Sequence, residues 1–451
     1  MKKIISTALA LVILLTFAAC GDSKPKDNGD KDDKNTTSTV NLAEGFEFPE
    51  LESAEVSWLL STTLDTFEAN NTEESPNAMY QTLKLWEKHY GTAVNLEVVS
   101  WDSFTTYLST SAASGSTPDV VYGGTTWFPL WPSKGLVQPL DEYLDLTNEK
   151  WNSDIMQQLT WKGKHYVAYG QTPEYFYICY NKSKFELAGE KTPLEHWQDG
   201  TWTWTQFKQT ALNMTDTSAN EYGYAGWNFG VNKSIYPLVS LGNDGSLVSQ
   251  ATNSKVKRWF TELNDFIKSG AKRTDNSDSS FLNTFPAGKD AMIHISPEEY
   301  IRMQIMLEVT GGDEFGIAPN FVFDPNGETE PRMTSNIYGY SISAQAKNPK
   351  AAAAIIDLYY TVYNNIEKNS GELGLFGKYL NEDEFKAITE ANKATHQINF
   401  IAGLGNAVSL FGESVGKVVY SPTKEGSVSA LLDSYDSVLK AELQEFAGSI
   451  G

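Results

Sequence analysis

The chain has 451 residues, 41% hydrophobic and 20% charged, with 35 Lys and Arg against 57 Asp and Glu for a net charge of −22, and two cysteines. That length suggests two or three domains with enough apolar material for real cores. The negative excess is repelled by phosphate backbones and anionic bilayers, which excludes nucleic-acid binding and electrostatic membrane docking, and two cysteines exclude a disulfide-stapled scaffold or a thiolate zinc cluster.

Lys2-Lys3 precede a mostly apolar stretch from Ile4 to Leu15, then Thr16, Phe17, Ala18, Ala19 and Cys20. This order of basic, apolar and small residues predicts a signal peptide over 1–19. The stretch from Ile4 to Ala19 has 16 residues, short of the ~20 a membrane-spanning helix needs. Phe17-Ala18-Ala19-Cys20 resembles a bacterial lipobox, with Phe17 where Leu is more frequent, and that resemblance implies an acylated Cys20. The next 25 residues, GDSKPKDNGDKDDKNTTSTVNLAEG, carry almost nothing apolar before Val40. They cannot bury enough surface to fold, so 20–45 is expected to be the acylated Cys and a disordered tether. Its flexible reach is about 25–30 Å, or roughly 85 Å drawn out. Loss of Lys2 and Lys3 with the signal takes the net charge from −22 to −24. The other thiol, Cys179, lies in an aromatic and β-branched run and is expected to be buried and unreactive.

From Val56 short β-like runs alternate with amphipathic helices. Val56–Leu60 is the first strand; Ser75 and Pro76 open a helix with Met79, Leu83, Trp86 and Tyr90 on one face, and Gly91 closes it. Val94, Leu96 and Val98 alternate as a strand, a helix follows over about Asp102–Ala113, and Pro118-Asp119 leads into Val120-Val121-Tyr122. This order argues for an open α/β sheet of largely parallel strands. Thr203 with Gln206 reads as a capping box before Phe207–Met214, and Val256, Trp259, Phe260, Leu263 and Ile267 mark an amphipathic helix. Ala291–Ile295 reads as a buried strand feeding a helix capped by Ser296, Pro297 and Glu299. Asn348 and Pro349 start an Ala-rich helix running to about Asn364. Val428, Leu431, Leu432, Tyr435, Val438, Leu439 and Leu443 mark the last helix.

Ordered segments from about Val56 to Tyr363 resemble the bacterial extracellular solute-binding protein family 1, the carbohydrate receptors of ABC importers. They include SGSTPDVVYGGTTW, KGLVQPLDEYLDL, GKHYVAYGQTPEYFYICYNKSKF, GTWTWTQF, LGNDGSLV, FPAGKDAMIHISPEEY, FGIAP and YGYSISAQAKNPKAAAAIIDLYY; the stretch from Gly371 to Gly451 matches loosely. The resemblance implies a two-lobed periplasmic-binding-protein-like fold of type II, with an open sheet in each lobe and a hinge crossed more than once. Lobe 1 would take 46–169 plus 315–363, and lobe 2 170–314 plus 364–451. It further implies capture of a sugar or oligosaccharide in the cleft, delivery to the transmembrane subunits of an ABC permease, a monomer held to the membrane through its N-terminal lipid only, and no cofactor or metal.

A sugar needs a flat aromatic wall and polar groups for its hydroxyls. Position after a strand selects the candidates. Trp127, with Thr126 beside it, follows the strand Asp119–Tyr122. Trp227 sits in a loop flanked by glycines, whereas Trp86 and Trp259 lie on apolar helical faces and belong to the core. Asn243 and Asp244 lie in a Gly-Asn-Asp-Gly segment that either binds hydroxyls or makes a turn. Glu298 either reaches a hydroxyl or answers the macrodipole of its helix. Gln171 and Tyr175 lie at the first hinge crossing, Tyr338 on the return strand, and Thr62 after the first strand. A rival reading is a secreted glycan hydrolase, since some pair of carboxylates is inevitable among 57 acidic residues. A third keeps the receptor fold with a peptide or other polar solute. Gly412-Glu413-Ser414-Val415-Gly416 matches the G-x-S-x-G elbow, but every histidine precedes Ser414, which is the wrong order for an α/β-hydrolase triad.

Overall fold

The computed structural model describes residues 41–60, 68, 71–72, 76–100, 103–171, 176–226, 235–242, 246–274, 281–323, 337–371, 373–394 and 397–448. From Leu42 to the C-terminus it is one compact unit, built on two principal sheets.

The first sheet has the order β2-β1-β3-β9-β4, with β1 Ser57–Leu60, β2 Asn95–Val98, β3 Val120–Gly124, β4 Val137–Gln138 and β9 Tyr338–Ser343. The second has the order β8-β5-β7-β6, with β5 Tyr177–Asn181, β6 Tyr222–Ala225, β7 Asp290–Ile295 and β8 Phe315–Ala318. β1 is parallel to β2 and β3, whereas β9 is antiparallel to both β3 and β4. In the second sheet β7 is parallel to β6, and β5 is antiparallel to β7 and β8. Each sheet is therefore largely parallel, with one strand in each, β9 and β5, running against the rest. The reason is connectivity. A strand reached through a helical crossover must be parallel to its predecessor, but a strand entering straight from the other lobe arrives at the carboxyl edge and has to run back.

β8 corrects the expected division of the chain. Its register, Phe315 opposite Asn181 and Ala318 opposite Ile178, places it in the second sheet, so the return to the first lobe lies within 319–337 and not at 315. Phe-Gly-Ile-Ala reads as a buried strand, but nothing local names its partner.

The amphipathic helices form near their expected places, but Thr203 and Gln206 make only half a capping box: Thr203 Oγ1 accepts from Gln206 N at 3.3 Å, while Gln206 Nε2 donates to Thr210 Oγ1 at 3.2 Å. The first, Ala78–Tyr90, starts two residues later than Ser75-Pro76 suggests, because the Asn77 side chain accepts from Tyr80 N at 3.0 Å. Gly91 ends it in the left-handed conformation, φ 68°, with Met79, Leu83 and Trp86 buried. Ser296 and Glu299 make a reciprocal capping box at 2.9 and 3.3 Å before the helix Pro297–Thr310. The helix Pro349–Ser370 covers the first sheet, and Asp119 ties the two together. One carboxylate oxygen accepts from Ser57 N and Oγ at 2.9 and 2.8 Å, and the other from Lys347 N and Asn348 N at 2.6 and 3.2 Å.

Several carboxyls are held below their ordinary values. Hydrogen bonds from the Thr192 backbone and hydroxyl do this for Glu195, and the Lys184 ammonium, with Lys289, for Glu221. At Asp141 burial pushes upward, but hydrogen bonds from the His165 ring and backbone prevail. A lowered folded value means stability fully present above the unfolded carboxyl range, near 3.8 for Asp and 4.5 for Glu, and lost as pH falls through the lower folded values. The thermal midpoint should accordingly hold from pH 7 to about 5 and fall steeply below about 4, as a calorimetric pH series would register.

Candidate ligand-binding site

The carboxyl ends of β1, β2 and β3 and the start of β9 share one edge of the first sheet, since Tyr338 pairs with Gly124. The carboxyl ends of β6, β7 and β8 and the start of β5 share one edge of the second, where Ile295 pairs with Tyr177 and Ala318 with Ile178. In chain order the second sheet's β5 follows the first sheet's β4, and β9 of the first follows β8 of the second, so the chain passes between the two sheets at least twice. At the hinge Ala168 and Tyr340 exchange backbone hydrogen bonds at 2.8 and 3.2 Å. They approach so closely that a Cβ on Gly339 would lie 2.2 Å from Ala168 O. Open α/β sheets bind ligands beyond the carboxyl ends of their strands, and clefts between domains are preferred sites. These two carboxyl edges therefore define the candidate site.

On the first edge, Thr125 N donates to Ile337 O at 2.9 Å and Ile337 N to Thr125 Oγ1 at 3.1 Å, joining the loop after β3 to the entry of β9. This brings the half-buried Thr126 and Tyr338 together at one edge. Trp127 stands beside them but has a core position. It is 4% exposed and stacks on Phe104 at 5.6 Å and Trp131 at 4.8 Å, inside a cluster with Leu59, Leu108 and Val121. Its indole offers no open face to a ligand in this conformation. Tyr338 does form part of an aromatic wall, stacked at 5.7 Å and 14° on Tyr122, a residue the sequence reading passed over. The signal was available: Tyr122 is two residues from the edge and half-buried on a strand whose neighbours are buried.

On the second edge, Glu298 is 71% exposed and pairs with Arg302 one turn along its own helix, a type of surface pair worth little. Beneath this edge His294 is buried between the Tyr224 hydroxyl, 2.8 Å from Nδ1, and Asn320 Oδ1, 3.1 Å from Nε2. That chain of polar contacts ties β6 and β7 to the start of the second crossing. Gln171 does not join Thr126 and Tyr338: its Nε2 donates to the Tyr359 hydroxyl at 3.2 Å, and it lines a separate cavity of about 620 Å³ with Asn152, Tyr363 and Lys368. Gly242 N donates to Ser246 O at 2.7 Å. Thr62, Tyr175, Trp227, Asn243, Asp244 and Cys20 lie outside the described residues.

A second space between the lobes, about 930 Å³, is lined by Gln157, Gln158 and Lys162 from one lobe, Tyr236, Ser240 and Val256 from the other, and Gln397 and Phe400. The hairpin carrying Lys162 lies toward the Ser343 end of β9: Ser341 Oγ donates to Tyr166 O at 2.7 Å and Leu140 N to His165 O at 2.8 Å. Phe400, on another side of the groove, meets Phe128 of the loop after β3 at 5.9 Å, so the groove borders the first edge as well.

Cys179 is fully buried in β5 and burial pushes its thiol well up, so it is the inert thiol the sequence suggests. Ser414 is not on a strand-to-helix turn. Gly412–Gly416 is a π-helical stretch within a helical run, and Ser414 Oγ donates to Leu410 O at 2.6 Å, so the elbow geometry is absent. Among the described residues no group of three His, Cys, Asp or Glu side chains is placed to hold a metal, and no helix is long and apolar enough to cross a membrane.

Two α/β sheets joined by crossing segments define a two-lobed solute-binding fold of the type II periplasmic class. Residues 69–362 match the bacterial extracellular solute-binding protein family, and the chain belongs to it. Binding proteins by name from Brucella abortus (strain 2308) and Brucella suis biovar 1 (strain 1330) are 24% identical over 294 residues, 60% of this chain; the chain spans 65% of the length of these curated relatives. The galacto-N-biose-/lacto-N-biose I-binding protein of a Bifidobacterium longum ABC transporter, solved with lacto-N-biose, superposes with a TM-score of 0.65 at 16% identity, over 87% of this chain and 98% of that one. The cyclic alpha-maltosyl-1,6-maltose binding protein of Arthrobacter globiformis gives 0.64 at 18% identity, over 87% and 99%.

Proposed function

We propose that the protein is an extracytoplasmic receptor that captures a sugar or oligosaccharide between its lobes and delivers it to the transmembrane subunits of an ABC permease. The observation that carries this reading is the pair of carboxyl edges linked by two hinge crossings, with the Tyr122–Tyr338 stack on one of them. An aromatic pair beside Thr126 suits the C–H face of a pyranose and its hydroxyls. A ligand bridging both lobes stabilises the closed form by its differential affinity, and closure is what a permease reads. Lobe 1 is 46–169 and about 337–370, and the remainder of the body is lobe 2. Thr62, Tyr175, Trp227, Asn243 and Asp244 complete the ligand-binding set with Thr126 and Tyr338. After removal of 1–19, an acylated Cys20 holds a monomeric, non-enzymatic receptor at the outer face of the cell membrane. The fold shared with the Bifidobacterium and Arthrobacter proteins, both named for the saccharides they bind, supports the saccharide class.

The test is a thermal-shift screen of mono- and oligosaccharides with recovery of the sugar. A true ligand at about 100 times its Kd adds roughly 2.7 kcal/mol, and it should come back unchanged. Released product would replace the receptor with a glycan hydrolase, and shifts by peptides alone would keep the receptor and change its solute.

A further inference from the structure

The tether was expected to run to residue 45, with the body starting at 46. The chain is already fixed at Leu42, and it is fixed in an unusual way. Five backbone carbonyls between Leu42 and Glu55 accept hydrogen bonds from four side chains on two helices of lobe 1. Asn365 Nδ2 donates to Leu42 O at 3.0 Å and Glu44 O at 2.9 Å. The Tyr90 hydroxyl donates to Pro49 O at 2.8 Å, Trp86 Nε1 to Ala54 O at 3.2 Å, and Asn348 Nδ2 to Glu55 O at 2.9 Å. Apolar contacts alternate with these clamps: Phe48 stacks on His89 at 4.0 Å and meets Phe46 edge-on at 4.9 Å, while Leu42, Leu51 and Ala54 pack on the core.

Asn348 caps the helix Pro349–Ser370 and Asn365 stands 17 positions further on, about 25 Å along a helix axis. The segment therefore lies lengthwise and antiparallel on this helix, over its neighbour Ala78–Tyr90. Carbonyl-directed clamps read backbone position and not side-chain identity, so they hold a segment against lengthwise displacement. The family match begins only at residue 69, so the segment precedes what the family shares.

We infer that residues 42–55 are a strap that fastens the N-terminal tether to lobe 1, so that load on the tether passes into the helices Ala78–Tyr90 and Pro349–Ser370 and not into the hinge or lobe 2. The load-bearing role rests on the tethered-receptor reading; the fastening does not. Lobe 1 is then the stationary lobe, and lobe 2, to which none of these clamps attaches, is the one that swings on ligand binding.

Spin labels test this in the full chain carrying Cys20→Ser, Cys179 being buried. Glu47→Cys is paired with Lys88→Cys on lobe 1, or with Leu187→Cys, 88% exposed on lobe 2. The Glu47–Lys88 distance should be narrow and unchanged by the saccharide found in the thermal screen, while the Glu47–Leu187 distance shifts. A broad or ligand-dependent Glu47–Lys88 distance overturns the strap. Constancy of both distances, with Glu47–Lys88 narrow, upholds the fastening and overturns closure. As a second readout, Asn365→Ala with Tyr90→Phe removes three of the five clamps. Amide exchange over residues 42–50 should rise at least tenfold with saccharide affinity unchanged; unchanged exchange would overturn the clamping role.

Discussion

Asp290→Ala should cost the protein about 3–5 kcal/mol and lower its melting temperature by roughly 10 °C, leaving ligand affinity at 25 °C within about twofold. Asp290 and Arg273 are both buried, with Nε to Oδ1 at 2.7 Å. The remaining guanidinium donors reach Asn220 Oδ1 at 3.1 Å, Asn220 O at 2.9 Å and Lys289 O at 3.0 Å. The cation lies over the Tyr222 ring at 4.3 Å, and the Thr284 hydroxyl donates to the other oxygen of Asp290. Removing the carboxylate strands a buried cation, which is far costlier than never having had the pair. Replacing both partners, Asp290→Leu with Arg273→Met, should therefore recover most of the loss. Affinity is spared because Asp290 begins β7, whereas the ligand edge lies at its other end beyond Ile295. A urea titration of the two variants decides the matter: equal losses in the single and double variants would mean that the pair adds stability beyond the avoidance of an orphan charge.

The parts of the fold that were legible in the sequence are those set by local chemistry. Periodicity placed Met79, Leu83 and Trp86, and Val256, Trp259, Phe260, Leu263 and Ile267, on faces that are buried, and Ser296 with Glu299 foretold a capping box that forms on both sides. What was not legible depends on partners far along the chain. Phe315–Ala318 looks like any buried strand, and only its pairing with Tyr177–Asn181 assigns it to the second lobe. Trp127 follows a strand as a ligand wall should, yet Phe104 and Trp131 claim its ring. Gln171 sits at a hinge crossing as expected, but its amide is turned to Tyr359, 188 positions away. The strap escaped notice for the same reason: its side chains say little, and what holds it is donated to its carbonyls by Asn365, Asn348, Tyr90 and Trp86.

Gln158→Trp should weaken saccharide binding about tenfold. Gln158 ends the short helix Ser153–Gln158 and lines the groove of about 930 Å³ together with Tyr236, Ser240 and Gln397. Phe400 lines it too and meets Phe128 of the loop after β3 at 5.9 Å, so the groove borders the edge proposed to hold the ligand. Packed lobes move as rigid bodies about a few hinge residues, and an indole between them is crowded most when they draw together, so it raises the free energy of the closed form relative to the open one. A bias of about 1.4 kcal/mol corresponds to a factor of ten in population, and the apparent Kd rises by the same factor while the closed form is scarce in the absence of ligand. Gln158→Ala, which adds no bulk, should leave Kd unchanged, and Gln397→Trp from the other wall should act in the same direction as Gln158→Trp. Titration calorimetry on these three variants would refute the coupling if both tryptophans left Kd where it was while the proteins melted normally.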